Sequence, residues 1–491
     1  MSSSISARLV NMNWIGKAST CLAGLTLFAF SCPAPIASPA APSDSALAPL
    51  PRLPSIIFIL ADDLGYGDLG CYGQTRIKTP NLDKLAAEGI RFTDFYAGST
   101  VCAPSRCALM TGLHTGHSWI RGNSDLPLRP DDVTFAELLK QAGYYTGLVG
   151  KWGLGKERSS GVPQKHGFDE FAGFLDQTHA HDYYTDHLWH FDPNVPFDDW
   201  QYLYENQGGK KALYIPDLFA KASLNFVRTH KPDQFNHFRP FFLYLANIIP
   251  HANNEEANRS GNGMQVPTDA PYSNEPWPQA EKNKAAMITR LDSDVGRLMD
   301  KLKELKIDQD TLVIFSSDNG PHKEGGVDPK FFQSAGPLRG NKRDLYEGGI
   351  RVPLIVRWPS RIKAAQVSDF VGAFWDFMPA LAEVAGEKCP TNIDGISFLP
   401  TLLGRAQTNH HEFLYWEFHE KGFQQAVRIG DWKAIRPQPG EQLELYNLKN
   451  DIGEKENLAD KNPAVIARIE AYLKTARTDS ERWPIKSLPK K

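Results

Sequence analysis

Two sets of residues in this chain could do chemistry. A cysteine lies in the segment 102–106 (CAPSR), which runs into residues 107–116 (CALMTGLHTG). Acidic and amide side chains stand together at Asp62 and Asp63, and again at Asp318 and Asn319. A cysteine can supply a nucleophile. Oxygen ligands with high negative charge suit a hard divalent cation such as Ca²⁺ or Mg²⁺, and suit zinc or copper poorly.

Each feature also has an ordinary structural explanation. An isolated cysteine is most often a buried, inert thiol. A lone Asp-Asn-Gly, as at residues 318–320, is more typical of a helix cap or an Asx turn than of a ligand set. The pairs Asp62-Asp63 and Asp318-Asn319 taken together favour a metal site, because both follow strand-like runs.

Four strand-like runs deliver polar residues at their carboxyl ends. They are residues 55–60 (SIIFIL), 145–150, 240–246 (PFFLYLA) and 311–317 (TLVIFSS). The first and last lead into the acidic pairs, the second into Lys151, and the third through Asn247 to His251. Short continuous apolar runs are typical of strands buried on both faces of a parallel sheet. Since ligands of open α/β sheets bind beyond the carboxyl ends of the strands, we expect these polar residues to converge.

Helix signals alternate with the strands. Thr79 as N-cap and Pro80 at the first position predict a helix over residues 81–88 that Gly89 closes. Apolar residues at alternating spacings of three and four from Ile288 to Leu305 predict a long amphipathic helix that leads into the strand at 311–317. The alternation indicates an α/β fold with a large, mostly parallel sheet between helices.

Composition limits the function classes. With 491 residues, 41% hydrophobic and 23% charged, the chain is long enough for two well-packed domains. A formal net charge of −3 and the absence of a long run of like charges argue against a nucleic-acid partner.

The amino-terminal segment has the pattern of an export signal. Residues 18–30 (ASTCLAGLTLFAF) are apolar and follow Arg8 and Lys17, but they are too few to span a bilayer. We predict a signal peptide over 1–38, a flexible linker over 39–53, and a periplasmic or secreted protein without a stable membrane anchor. A lipid anchor at Cys32 is the weaker alternative, because the residues before it fit a lipobox poorly.

The cysteine segment resembles the C-x-P-x-R signature of type I sulfatases, members of the alkaline phosphatase superfamily whose cysteine is oxidised to Cα-formylglycine (3-oxoalanine). Further blocks resemble that family in family order: ILADDLGYGDLGCYG, TPNLDKLAAEGIRFTDFYAGSTVCAPSR, VIFSSDNG, LRGNKRDLYEGGIRVPLIVRWP, WDFMPALAEVAG and LELYNLKNDIGEKENLA. The resemblance implies an alkaline-phosphatase-like fold. It predicts a catalytic domain over 54–400 and a small antiparallel-sheet and helix subdomain over 401–491.

The resemblance also implies roles for individual residues. Cys102 becomes the formylglycine nucleophile, Arg106 stabilises its hydrate, Lys151 and Lys342 hold the sulfate oxygens, and His251 is the general acid. The implied ligands of Ca²⁺ (or Mg²⁺) are Asp62, Asp63, Cys102, Asp318 and Asn319. The implied reaction passes through a sulfo-enzyme, from which a second hydroxyl on the same carbon expels sulfate. A formylglycine-generating or sulfatase-maturing enzyme is then a required partner.

One position departs from the family pattern. The block K-W-H-L-G reads KWGLG here, with Gly153 in place of the histidine. We hypothesise that His179 or His181, in the histidine-rich segment 177–190, contacts substrate in its place. The equal alternative is a solvated loop in which the aromatic residues of that segment pack.

The substrate class is the least determined point. Export and loops rich in Tyr, Trp and His favour a sulfated carbohydrate, because aromatic faces stack on pyranose rings. The alternatives are a phosphonate or phosphodiester hydrolase and a non-catalytic sulfoglycan-binding protein.

The carboxyl-terminal part of the chain contains further strand and helix signals. They are strands at 412–420, 425–429 and 432–435, and a closing helix at 463–477. Glu417 and His419 lie in the first of these strands, where they face either substrate or solvent.

Overall fold

A computed structural model describes residues 52–194 and 199–486 of the chain. The predicted signal peptide, and all of the predicted linker except its last two residues, lie outside the described residues. Among those residues, no helix has both the length and the apolar character that crossing a membrane requires. Cys71, Cys102, Cys107 and Cys389, the four cysteines in the described part, are all free thiols.

The described residues form a ten-stranded sheet, a two-stranded sheet and a four-stranded sheet. The strands are β1 (Ser55–Ala61), β2 (Ile90–Phe92), β3 (Phe95–Tyr96), β4 (Tyr145–Lys151), β5 (Glu170–Phe174), β6 (His187–Phe191), β7 (Asp199–Tyr202), β8 (Phe241–Ala246), β9 (Thr311–Ser317), β10 (Leu354–Arg357), β11 (Gln366–Ser368), β12 (Gly372–Ala373), β13 (Leu414–Phe418), β14 (Gln424–Ile429), β15 (Trp432–Arg436) and β16 (Glu444–Asn447).

The large sheet has the order β11-β2-β10-β9-β1-β8-β4-β5-β6-β7. Its central strands β9, β1, β8, β4 and β5 are parallel, whereas β10, β6 and β7 each pair in antiparallel fashion. All seven residues of β1 and of β9 are buried, as expected for strands covered on both faces. The predicted mixed, mostly parallel sheet is therefore confirmed.

The helices lie between the strands along the chain. They are α1 (Pro80–Ala87), α2 (Cys102–Thr111), α3 (Phe135–Gln141), α4 (Ile215–Thr229), α5 (Asn254–Ser260), α6 (Gln279–Glu304), α7 (Glu347–Ile350), α8 (Phe377–Ala385), α9 (Leu399–Leu402) and α10 (Pro463–Leu473). The long helix α6 leads into β9, as predicted. Thr79 is the N-cap of α1, but its hydroxyl accepts from Gly70 N and donates to Asp83 instead of capping the helix.

The carboxyl-terminal sheet is antiparallel, in the order β13-β14-β15-β16. One face packs on residues from the earlier part of the chain, including Tyr96 of β3, Val101 and Ala108 of α2. The other face packs on Ile469 and Leu473 of α10. The small sheet with a closing helix is confirmed, with α10 ending four residues before the predicted end. The predicted division of the chain at residue 400 stays a prediction.

Strand register aligns the polar residues that follow the central strands. In β1 and β9, Ala61 pairs with Ser317, so that Asp62 and Asp318 leave the sheet side by side. On the other side of β1, Leu60 pairs with Ala246 of β8. The carboxyl ends of neighbouring parallel strands therefore share one edge of the sheet, where ligand sites of this fold class are built.

Candidate active site

Cys102 opens α2 at this edge of the sheet. Val101 before it is extended and Pro104 occupies the first turn, where a missing backbone N–H costs nothing. The Ala103 N–H donates to Asn123 Oδ1 at 3.0 Å. Cys102 Sγ lies 3.4 Å from Asp62 Oδ1. The cysteine thus sits at the positive end of a buried helix, which favours an anion next to it.

The four predicted oxygen ligands lie close together next to Cys102. Asp62, Asp63, Asp318 and Asn319 are all fully buried. Asp63 N–H donates to Asp318 Oδ1 at 3.1 Å, and Asn319 Nδ2 donates to Asp63 Oδ1 at 2.7 Å. Among the described residues, Asn319 Oδ1 has no hydrogen-bond partner. A buried acceptor without a partner is costly in a folded protein, and a cation would supply what it lacks.

The electrostatics of this group also fit a divalent cation. Burial, followed by the negative charge of Asp62, raises the pKa of Asp318 to about 7. A bound cation would relieve this repulsion between carboxylates. Ligand atoms of Asp62, Asp63, Cys102 and His251 also lie within 4.8 Å of one another. Carboxylate and amide oxygens are the ligand set of Ca²⁺ or Mg²⁺.

Arg106 and Lys151 balance part of the negative charge. Arg106 donates from Nε and Nη2 to Asp318 Oδ2 at 3.1 and 2.9 Å, and from Nη1 to the Lys151 carbonyl at 2.9 Å. Lys151 Nζ donates to Asp62 Oδ2 at 2.7 Å. Although burial raises the pKa of Asp62, Lys151 and the other nearby positive groups hold it well below its usual range. Both cations are buried beside Cys102.

Lys342 and His251 complete the predicted set. Lys342 Nζ donates to Asp63 Oδ2 at 2.8 Å and lies 3.1 Å from His251 Nε2. His251 Nδ1 lies 2.7 Å from the Ala252 carbonyl, which fixes the proton on Nδ1 in the neutral ring. Burial and the charge of Lys342 lower the pKa of His251. Nε2 is therefore the ring atom that faces the site.

Two family comparisons now identify this arrangement. A family model described as Sulfatase matches residues 54–387, and one described as N-sulphoglucosamine sulphohydrolase, C-terminal, matches residues 340–479. The chain belongs to the sulfatase family. As a sulfatase it is a sulfuric ester hydrolase, and its large sheet with a small antiparallel sheet is the alkaline-phosphatase-like architecture expected from the resemblance.

Individual relatives agree with this assignment. The sulfatase is 30% identical over 509 aligned residues to N-acetylgalactosamine-6-O-sulfatase of Bacteroides thetaiotaomicron, covering 87% of this chain and 93% of that protein. It is 34% identical over 411 residues to arylsulfatase A of Homo sapiens, covering 78% of this chain and 75% of that protein. A solved structure of Ps i-CgsB in complex with k-i-k-neocarrahexaose matches with a TM-score of 0.73 and 29% identity, covering 87% and 93% of the two chains.

The two histidines proposed from the sequence occupy different positions in this sulfatase. The His181 ring stacks on the His251 ring, with centroids 4.7 Å apart. Burial and the positive charge of Lys151 lower the pKa of His181. His179 Nε2 instead lies 2.8 Å from Thr185 Oγ1. The structure therefore puts His181 next to the predicted site and His179 in the loop beside it.

Gly153 adopts a conformation that disfavours the family histidine. Its φ is +76°, in the left-handed region where a side chain is strained. A Cβ at this position would come within 2.2 Å of Gln177 Nε2. Gln177 Nε2 also donates to the Gly153 carbonyl at 3.4 Å. The amide of Gln177 thus fills the space next to this glycine.

Sequence reasoning missed two groups around the site, Glu324 and Tyr183. Glu324 lies 3.6 Å from Lys342 Nζ, and burial opposed by the charge of Lys342 leaves its pKa lowered to about 2. Tyr183 donates to the carbonyls of Ile248 and His251, which fixes the segment that carries His251. The position of Glu324, six residues after Asp318, was the available signal for the first of these groups. Only the fold brings Tyr183 to this segment.

Glu417 faces neither solvent nor an open pocket, which corrects both sequence alternatives. It is fully buried, and its carboxylate contacts Arg121 at 3.2 Å, Arg477 at 2.9 Å and His419 at 3.0 Å. Tyr415 also donates to it at 2.9 Å. Glu417 is the centre of a buried ion-pair network that joins the carboxyl-terminal sheet to the rest of the fold.

A cavity of about 630 Å³ lies beside the loop that carries His179 and His181. Its lining includes His179, Tyr184 and Glu255. Glu255 Oε2 lies 3.2 Å from Nδ1 of His181, whose ring stacks on His251. The cavity therefore adjoins the predicted site through this pair.

Proposed function

We propose that this sulfatase hydrolyses sulfate monoesters of a sulfated carbohydrate, with a formylglycine nucleophile made from Cys102 and a sulfo-enzyme intermediate. We call Asp62, Asp63, Asp318 and Asn319 the acidic cluster. The observation that carries the proposal is that Cys102, Lys151 and Lys342 lie next to this cluster on one buried edge of the sheet. A binding protein would not need all of these groups together.

The environment of Cys102 supports its modification. Burial and the negative charge of Asp62 raise the pKa of the thiol well above its usual range. A thiol that stays protonated at neutral pH is a poor nucleophile. An aldehyde hydrate at the same position supplies hydroxyl groups in place of the thiol.

The acidic cluster is proposed to hold Ca²⁺, with Mg²⁺ as the alternative. Asp62, Asp63, Asp318 and Asn319 would bind the ion, together with the group derived from Cys102. When bound, the ion supplies positive charge that polarises a hydroxyl nucleophile and the sulfate oxygens. Asn319 Oδ1, which lacks a partner among the described residues, supports this assignment.

The lysines and the arginine have separate tasks in the proposal. Lys151 and Lys342 neutralise the sulfate group, since each ammonium has three donors and one already points to a carboxylate of the cluster. Arg106, held by Asp318 and by the Lys151 carbonyl at the end of β4, stabilises the hydrate of the modified residue. Fixed positive groups of this kind stabilise the charge of the transition state.

His251 is proposed as the general acid. Its Nδ1 donates to the Ala252 carbonyl, so that Nε2 of the neutral ring carries no proton. Nε2 therefore takes up a proton from the Lys342 ammonium, 3.1 Å away, as it passes one to the leaving oxygen. Hydrogen-bond reach to the leaving group is the requirement for such a role. His181, stacked on His251, helps to orient that ring and contacts substrate, with His179 further along the same loop.

The carbohydrate class is supported by the relatives. One relative is named an N-acetylgalactosamine-6-O-sulfatase, and one structural neighbour was solved with a neocarrahexaose. The cavity next to His181, lined by ionic groups and Tyr184, suits a hydroxyl-rich ligand. Export to the periplasm or beyond, with a formylglycine-generating or sulfatase-maturing enzyme as partner, completes the proposal.

Ion chromatography of sulfate and phosphate released from sulfated glycans and phosphonate esters tests the proposal. The protein must first carry formylglycine at position 102, verified by peptide mass. We expect sulfate release that Cys102→Ala abolishes. Phosphate release alone would favour the phosphonate hydrolase alternative. Glycan binding without release of either ion would favour a sulfoglycan-binding protein.

A further inference from the structure

An exposed aromatic strip lies on the edge strands β6 and β7 of the large sheet and on the turn that follows β7. We define the strip as Trp189, Trp200, Tyr202 and Tyr204. Trp200 is 37% exposed, Tyr202 50% and Tyr204 53%. Aromatic side chains left this open on an otherwise well-packed unit mark an interaction surface.

Strand register puts Trp189, Trp200 and Tyr202 on one face of this strand pair, and Tyr204, just after β7, stacks on Tyr202 with centroids 6.1 Å apart. Trp189 of β6 pairs with Trp200 of β7, and His187 pairs with Tyr202. Directly paired residues of antiparallel strands project to the same side, as do residues two apart in one strand. The rings also touch. Trp189 and Trp200 have centroids 4.8 Å apart, and His187 stacks on Trp200 at 4.0 Å.

The strip is continuous with the cavity beside the proposed site. His187 packs on His179, with centroids 4.3 Å apart, and His179 lines the cavity. The chain that leaves Tyr204 reaches the same cavity at Gly209 and Lys210. A ligand that fills the cavity can therefore extend directly onto the aromatic face.

We propose that the aromatic strip binds sugar units of a carbohydrate chain whose sulfated residue occupies the active site. The inference rests on the proposed function and deepens it, because it assigns the substrate as an oligomer or polymer. Trp and Tyr offer flat apolar faces for the C–H faces of pyranose rings. The continuity with the cavity favours a carbohydrate over a protein partner.

The test compares Trp200→Ala/Tyr202→Ala with Phe235→Ala, which removes an aromatic ring that is 81% exposed and lies in the turn after α4. Two measurements are made on each protein. Affinity electrophoresis in gels containing carrageenan or chondroitin sulfate reports binding without turnover. Sulfate release is followed on the same polysaccharides and on p-nitrophenyl sulfate, a substrate too small to reach the strip.

We expect the double variant to bind polysaccharide about fivefold to tenfold more weakly, the usual effect of truncating an aromatic anchor. Its kcat/KM on polysaccharide falls by the same factor, and its rate on p-nitrophenyl sulfate is unchanged. Tyr204→Ala alone gives a smaller effect in the same direction and serves if the double variant does not fold.

Two results would contradict the proposal that the strip binds carbohydrate. One is a double variant that binds and desulfates polysaccharide as the wild type does. The other is a wild type that neither polysaccharide retards. Failure of the proposed function gives a different result. The wild type then releases no sulfate even from p-nitrophenyl sulfate, while gel retardation still measures polysaccharide binding by the strip.

Discussion

The imidazole ring of His181 stacks on that of His251, with centroids 4.7 Å apart and ring planes 15° apart. His181 comes from the loop after β5, and His251 from the segment after β8. The stack therefore links the loop after β5 to the residue proposed as general acid.

We predict that His181→Ala lowers kcat roughly 10- to 100-fold, because a small misplacement of an acid group costs this much. His179→Ala is the matched control, since His179 contacts Thr185 instead of His251, and it should alter KM more than kcat. Steady-state kinetics on the true substrate measure both. Unchanged turnover after replacement of both histidines would contradict the hypothesis that this loop acts in the site.

Cys102→Ser should release a single equivalent of product. A serine hydroxyl can take up a sulfate group, but it has no second hydroxyl on the same carbon to expel it. Rapid-quench measurement of the released alcohol, with peptide mass of the trapped sulfate ester, tests this. Multiple turnovers by a variant verified as unmodified serine would argue against the proposed mechanism.

Removal of the cation should lower stability independently of activity. Calcium at a hundredfold excess over its Kd should stabilise the fold by about 2.7 kcal/mol by mass action, and a chelator should reverse this. Asn319→Ala should lose most of the calcium-dependent shift in Tm, whereas Asn409→Ala, at an exposed position, should keep it. Equal shifts in both variants would remove Asn319 from the ligand set.

Gly153→Ala should cost about 1–2 kcal/mol of the free energy of unfolding, because φ is +76°. Gly143 has a φ of +93°, and a Cβ added there would meet no atom within 4 Å, so Gly143→Ala measures the backbone cost alone. Chemical denaturation compares the two. A similar loss means that the Gln177 amide moves aside, and a clearly larger loss at Gly153 means that Gln177 is fixed.

Glu417→Gln should destabilise the protein by roughly 3–5 kcal/mol, since it leaves buried arginines without their partner. Denaturation near neutral pH should detect this, and Glu412→Gln, at an exposed ion pair, should cost little. A normally stable variant with altered KM alone would instead assign Glu417 to substrate.

The same residue predicts an acid sensitivity. Burial raises the pKa of Glu417, but bonds from His419 and Arg477 outweigh it and lower the pKa from 4.5 to about 2. A depressed carboxyl pKa stabilises the fold above the unfolded value, so about 3 kcal/mol should be lost as pH falls from about 4.5 to 2. The difference in unfolding free energy between wild type and Glu417→Gln, measured across this range, should shrink as pH falls. A constant difference would contradict the assignment.

Local sequence patterns determined the central strands, the helix α6 and the side chains at the strand ends. Continuous apolar runs specify buried parallel strands because no alternation with polar residues is needed when both faces are covered. The rule that such strands present ligands at their carboxyl ends then predicted the meeting of Asp62 with Asp318, which are 256 residues apart in the chain and joined by the register of β1 and β9.

Tertiary structure decided what local patterns could not express. The burial of Glu417 depends on Arg121 and Arg477, which come from distant segments, and an alternating strand pattern cannot reveal a partner that far away. The choice between His179 and His181 depends on which ring the loop turns toward His251. The aromatic strip exists because β6 and β7 pair in one register. The sequence by itself determines which residues can do chemistry, whereas long-range packing decides which of them meet.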